Sequence, residues 1–133
     1  MLLAILTAFI GEPVLAQQQH FPRGLLEEMF ANIQAKTSWD IEGNMLWGYF
    51  FTSPNESELQ KIGTELVSNG YCLVEIRELE SDTPQAASEW QLHVKRVEPQ
   101  TVDTLFTRNT QLGDLASHYK NVTYDGMDVG PAD

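Results

Sequence analysis

The chain has 133 residues, 42% of them hydrophobic and 20% charged, with 8 lysines and arginines against 19 aspartates and glutamates. The formal net charge of -11 argues against charge-driven binding of DNA or RNA, because phosphate contacts require lysine and arginine. A single cysteine excludes an internal disulfide and a zinc site built on paired cysteines, so we expect one domain held by its own hydrophobic core.

Residues 1–20 form an apolar leader with three possible origins. The run over 1–11 is too short to span a bilayer, which needs ~20 apolar residues. Small residues near Ala16 fit a secretory signal peptide, whereas Glu12 and the lack of an early lysine or arginine argue against one. The alternatives are a start assigned too far upstream and an N-terminal helix docked on the core. We therefore divide the chain into a leader, 1–20, and a domain, 21–133.

The first elements of the domain are a helix, a strand and a second helix. Apolar residues at helical spacing predict a helix over 23–36, and a dense aromatic run predicts a strand over 45–52. The sequence Ser-Pro-Asn-Glu at 53–56 predicts a capping box with proline in the first helical position. The second helix would bury Leu59, Ile62, Leu66 and Val67 on one side and end at Asn69-Gly70.

Two strands, a third helix and a last strand follow. Their predicted positions are strands over 71–79 and 89–97, a helix beginning at 99–101, and a short strand over 122–124. Cys72, Val74 and Ile76 alternate in the first of these strands, which predicts that they share a buried face. The turn-forming residues over 125–133 predict an irregular end.

The order of these elements predicts an α+β fold. After the first helix the order is βαββαβ, which is typical of a ferredoxin-like split βαβ sandwich. Two helices would cover one face of a four-stranded antiparallel sheet and leave the other face partly open. The extra N-terminal helix would then pack across that open face or at an edge.

Candidate catalytic and metal-binding residues are few. Cys72 lies in an apolar strand, where a small buried side chain is expected. His20, His93 and His118 are far apart and lack metal-ligand spacing. No serine lies in a nucleophile elbow, and there is no glycine-rich phosphate loop. We therefore expect no catalytic residue, no metal and no cofactor; a thiol enzyme acting through Cys72 is the weakest alternative.

An open sheet face with aromatic side chains also raises the possibility of RNA binding, because some RNA-binding sheets stack bases on aromatic rings. The side chains that would form such a face are Trp47, Tyr49 and Phe51, with Arg77, His93 and Lys95 beside them. The acidic charge and the lack of an RNP-type motif argue against it. Packing of the aromatic residues under the N-terminal helix explains them equally well.

Short motifs give the chain a resemblance to a known family. The run Trp47-Gly48 to Thr52, the helix end Asn69-Gly70-Tyr71 and the closing Tyr124-Asp125-Gly126 resemble the RraB family, the regulators of ribonuclease E activity. The resemblance extends from about Leu25 to Gly130. The family usually continues its last motif with tryptophan, whereas this chain has Met127, and it lacks the acidic tail of the best-known members. It therefore resembles a divergent member.

The resemblance implies a cytoplasmic, non-catalytic adaptor that binds and inhibits ribonuclease E or a related basic RNA-handling protein, without binding nucleic acid itself. The alternative is an exported small protein-binding domain with an unknown partner, if residues 1–16 are a signal peptide. The family-motif residues are Trp47, Gly48, Tyr124, Asp125 and Gly126, the last three as a strand end and tight turn rather than a binding site. The predicted acidic partner surface consists of Glu75, Glu78, Glu80 and Asp82.

Overall fold

The chain folds into three helices and a five-stranded sheet in the computed structural model, which describes residues 4–7, 21–81, 83 and 87–132. The elements in chain order are β1 (Ala4–Thr7), α1 (Arg23–Lys36), β2 (Asn44–Ser53), α2 (Glu56–Ser68), β3 (Cys72–Glu78), β4 (Trp90–Pro99), α3 (Val102–Ser117) and β5 (Thr123–Pro131). The predicted order after residue 21 is confirmed. Apart from β1, the predicted leader lies outside the described residues.

The sheet has the strand order β1-β5-β2-β4-β3, and every neighbouring pair is antiparallel. The crossover through α2 joins β2 to β3 and leaves room for β4 between them. The crossover through α3 joins β4 to β5 and leaves room for β2. Two split βαβ units therefore interlock, which confirms the ferredoxin-like prediction. Strand β1 adds a fifth strand beside β5 that the sequence did not predict.

The helices and the main core lie on one side of the sheet. Helix α2 contacts β2, β3 and β4, helix α3 contacts β5, and α1 packs against α3. Of the two positions expected for α1, the open face is excluded, because the ring of Phe30 stacks on Trp47, 6.3 Å between centroids, on the helix-bearing side. The largest fully buried side chains in the described residues are Trp47, Tyr49, Tyr124, Phe51, Leu26, Ile41, Leu59, Ile62, Leu66, Leu92, Leu105 and Met127.

The N-cap of helix α2 lies two residues later than predicted. Asn55 is the N-cap, and its Oδ1 accepts the backbone N–H of Ser57 at 3.2 Å. Ser53 remains the last residue of β2, where its Oγ accepts the N–H of Asn55 at 3.0 Å. The predicted end of the helix is confirmed, since Gly70 has the positive φ of 101° that favours glycine after a helix.

A bulge in β3 overturns the predicted alternation of that strand. Leu73 pairs with Val94 and Glu75 with His93, so Val74 is an extra residue without a direct partner on β4. Because an inserted residue reverses which face the following side chains take, Cys72 shares the open side with Glu75, while Leu73 points to the helices. The predicted shared face of Cys72, Val74 and Ile76 is therefore wrong, and Cys72 is exposed rather than buried.

Strand β5 is much longer than the predicted strand over 122–124. It runs from Thr123 to Pro131 and pairs with β2 on one side and β1 on the other. Met127 and Val129 are buried beneath the helices, so alternating apolar residues hold the segment in the sheet despite its turn-forming composition. The predicted irregular end over 125–133 is wrong for residues 125–131.

Candidate protein-binding surface

Trp47 and Gly48 occupy opposite faces of β2. Trp47 is fully buried, and its indole nitrogen has no hydrogen-bond partner in the described part of the chain. Gly48 faces the open side between Asp128 and His93. A Cβ at this position would collide with Oδ1 of Asp128 and lie 2.8 Å from Nε2 of His93. The glycine therefore allows two polar side chains to lie directly over the strand.

The Tyr124-Asp125-Gly126 motif forms a bulge near the start of β5. Phe51 pairs with Tyr124 and Phe50 pairs with Gly126, so Asp125 is the inserted residue. Gly126 has a φ of 130°, which favours glycine, and so accommodates the bulge. The three residues lie within a strand and shape the sheet.

The bulge places Tyr124 and Asp125 in different environments. The buried hydroxyl of Tyr124 donates to Oδ1 of Asn109 on α3 at 2.6 Å, which ties the strand to the helix. Burial, with a smaller contribution from nearby Glu89, raises the pKa of Asp125 from 3.8 to about 6. Ionisation of Asp125 near neutral pH therefore lowers the free energy of unfolding.

The open face does not collect the aromatic residues considered for RNA binding. Trp47, Tyr49 and Phe51 are all buried on the helix side. On the open side, His93 stacks on Phe50 at 4.4 Å between ring centroids, and burial lowers the pKa of this histidine. The predicted aromatic and basic residues thus lie on opposite faces of the sheet.

The predicted acidic residues follow one edge of the sheet rather than one face. Glu75 forms an ion pair with Arg77 at 3.8 Å on the open side of β3. Glu78 lies at the end of β3, where its Oε2 accepts the hydroxyl of Ser88 at 2.9 Å. Glu80 is exposed just beyond the strand, and Asp82 lies outside the described residues. Three carboxylates therefore line the outer edge formed by β3 and the start of its loop.

An apolar groove next to these carboxylates was missed by the sequence analysis. This α2–β3 groove has a volume of about 310 Å³ and is lined by Gln60, Gly63, Thr64, Val67, Leu73 and Ile76. Val67 and Leu73 are 48% and 49% exposed, so the expectation that Val67 is buried is wrong. The signal in the sequence was the spacing of residues 60, 63, 64 and 67, which defines a second stripe along α2.

A partly buried cluster of ionisable side chains lies between β4 and α3. Glu98 accepts hydrogen bonds from Arg108 at 2.5 Å, Tyr49 at 2.7 Å and Gln100 at 2.8 Å. Arg96 lies 3.3 Å from the same carboxylate, whose side chain is only 11% exposed. Every polar group around Glu98 is thus engaged within the protein, so we assign this Glu98 cluster a structural role.

Neither a metal cluster nor a membrane-spanning helix is found among the described residues. No three histidine, cysteine, aspartate or glutamate side chains come together there as candidate metal ligands. The helices within those ranges are too short or too polar to cross a bilayer. The candidates for a protein-binding surface are therefore the carboxylates along β3 and the α2–β3 groove.

Comparison with known proteins gives one family match. The family model described as "Regulator of ribonuclease activity B", RraB, matches residues 26–129, from the first turn of α1 to near the end of β5. Neither the curated proteins nor the solved structures gave a match. The matched range contains β2, α2, β3, β4 and α3 in full, and with them the α2–β3 groove.

Proposed function

The chain belongs to the RraB family of regulators of ribonuclease activity, and we propose that it binds and inhibits an endoribonuclease of the ribonuclease E type. The observation that carries this proposal is the family match over 26–129, most of the 133-residue chain. Inhibition would arise from contact between the two proteins, slowing RNA processing and decay. The protein itself would contribute no catalytic group and no cofactor.

The charge of the chain supports a basic protein surface as the partner. The net charge is -11, and Glu75, Glu78 and Glu80 follow one another along an exposed edge. An acidic surface attracts lysine-rich and arginine-rich segments and repels RNA phosphates. The proposed role is therefore to bind the enzyme rather than its RNA substrate.

The test is an RNA-cleavage assay with purified ribonuclease E, with and without the protein, together with direct measurement of the complex. We expect the cleavage rate to fall as the complex forms, and no RNA cleavage by the protein alone. Unchanged cleavage, with no complex detected at protein concentrations well above that of the enzyme, would contradict the proposal. A gel shift with RNA alone tests the alternative of direct nucleic-acid binding.

We place this activity in the cytoplasm, where ribonuclease substrates are found. The alternative, an exported binding domain, predicts a mature N-terminus near Gln17. Fractionation followed by N-terminal mass spectrometry distinguishes the two. An intact Met1 in the cytoplasmic fraction supports the proposal, whereas a chain starting at Gln17 outside the cytoplasm supports export.

A further inference from the structure

Strand β3 forms one end of the sheet. It pairs with β4 on one side, and no strand in the described ranges pairs with its other side. Edge strands present backbone N–H and C=O groups that can pair with another chain. The bulge at Val74 interrupts this edge, so the regular part runs from Glu75 to Glu78.

Exposed apolar side chains accumulate next to this edge. Of the five large hydrophobic residues found exposed in the described part of the chain, three lie here: Val67, Leu73 and Val74. Val67 and Leu73 also line the α2–β3 groove, on the helix side of the sheet. Grouped apolar side chains on a soluble protein mark interaction surfaces more often than isolated ones do.

The charge around the groove favours a cationic partner over a second copy of the chain. Pairing β3 with β3 of a second copy would bring two chains of net charge -11 together along edges that carry Glu75, Glu78 and Glu80. A cationic segment instead gains attraction at the same edge. Arg77 is the nearest cation on this strand, and it is already paired with Glu75 at 3.8 Å.

We propose that the α2–β3 groove binds an extended segment of a partner protein, in which apolar side chains alternate with lysine or arginine. The segment pairs with the edge of β3, its apolar side chains enter the groove, and its cations face the side of Glu75. Strand addition of this kind combines backbone hydrogen bonds with pockets for alternate side chains. The identification of that partner as a ribonuclease rests on the proposed function; the groove and its ligand chemistry do not.

Two double variants distinguish binding in the groove from binding to exposed apolar residues elsewhere on the surface. The groove variant combines Val67→Ser with Leu73→Ser, one exposed apolar residue from a helix and one from a strand. The control combines Leu25→Ser with Val97→Ser, which are 41% and 52% exposed in α1 and β4. Neither pair changes the net charge. Circular dichroism establishes that both variants are folded.

Short synthetic peptides serve as the first probe. A peptide of alternating lysine and valine should bind the wild-type chain and the control, and bind the groove variant at least about tenfold more weakly. Peptides alternating lysine with serine, or glutamate with valine, should bind weakly to all three proteins. A fluorophore on the peptide reports binding to all three proteins by fluorescence anisotropy and leaves the edge of β3 unmodified. Equal binding to the groove variant and the control, or no binding to the wild type, overturns the proposal.

Ribonuclease E is the second probe, and it separates the two proposals. If the lysine–valine peptide binds through the groove but the enzyme is neither bound nor inhibited, the groove is supported and the proposed function fails. If the enzyme is inhibited equally by the groove variant and the control, the groove assignment is wrong and the proposed function stands. Loss of inhibition in the groove variant alone supports both.

Discussion

Gly48 illustrates how one missing side chain organises the open face of the sheet. Asp128 is 6% exposed and lies over Gly48 from β5, while His93 approaches from β4. Burial raises the pKa of Asp128 and lowers that of His93, so both side chains resist charging in this position. The glycine therefore has a packing role that the short motif did not reveal, since its two neighbours come from distant parts of the sequence.

We expect Gly48→Ala to lower the free energy of unfolding by about 1–3 kcal/mol. The new methyl group would meet the Asp128 carboxylate, which is buried and has little room to move. Gly24→Ala is the matched control, because a Cβ there would have no heavy atom within 4 Å. Urea denaturation of both variants measures the difference. If Gly48→Ala unfolded at the same urea concentration as the wild type, Asp128 and His93 would be able to move aside without an energetic cost.

Asp125 should make stability depend on pH between about 4 and 6. Its pKa is about 6 in the folded chain, against an ordinary value of 3.8, so the folded state binds a proton more tightly than the unfolded state. The resulting stabilisation is fully present below pH 3.8 and is lost as the pH rises through 6. Asp125→Asn should remove this dependence and raise stability at pH 7 by on the order of 1 kcal/mol, a value reduced for the partial exposure of the side chain.

Thermal unfolding of Asp125→Asn at a series of pH values tests this. The gain over the wild type should grow from pH 4 to pH 6 and then stay level. Asp114→Asn, at an exposed position on α3, is the control for the loss of one carboxylate. A gain that is the same at every pH would mean that the asparagine acts through packing and not through ionisation.

At the scale of elements, regular amphipathic segments could be predicted and the bulged strands could not. The bounds of α1 match its predicted range, because Leu26, Met29, Phe30 and Ile33 repeat at helical spacing and are buried. In β3, the extra residue Val74 makes the side chains on its two sides point to other faces of the sheet than simple alternation predicts. The alternating pattern of apolar residues in the sequence contains no signal for such an insertion. The groove was missed for the same reason, since it depends on which side Leu73 takes.

The Glu98 cluster joins three elements, and its loss should therefore be costly. Glu98→Gln leaves Arg108 and Arg96 without their carboxylate, and it weakens the hydrogen bond donated by Tyr49. We expect stability to fall by on the order of 2–4 kcal/mol, because the partners are partly buried and lose a charged acceptor. Glu28→Gln, at an exposed site on α1, is the control and should stay within about 0.5 kcal/mol of the wild type. Chemical denaturation provides the measurement, and similar values for the two variants would contradict the assignment.

For the whole molecule, the excess of negative charge acts on folding and on binding in opposite directions. A net charge of -11 on 133 residues favours solubility, and its self-repulsion works against the compact state. The same charge attracts a basic partner over distances longer than any single contact. The sequence composition predicted this balance directly, because net charge does not depend on the fold, whereas the position of the carboxylates along the edge of β3 required the structure.

Added salt should therefore stabilise the free protein while it weakens the complex with ribonuclease E. The screening length falls from about 10 Å at 0.1 M salt to about 3 Å at 1 M, so both the repulsion within the chain and the attraction to the partner decrease. We expect Tm to rise and the association rate to fall, with a smaller change in dissociation. Combining Glu78→Gln with Glu80→Gln should reduce the salt dependence of association, whereas the groove variant should keep that dependence and dissociate faster. If salt lowered Tm and weakened binding together, unfolding would explain the loss of the complex, and an electrostatic origin would be excluded.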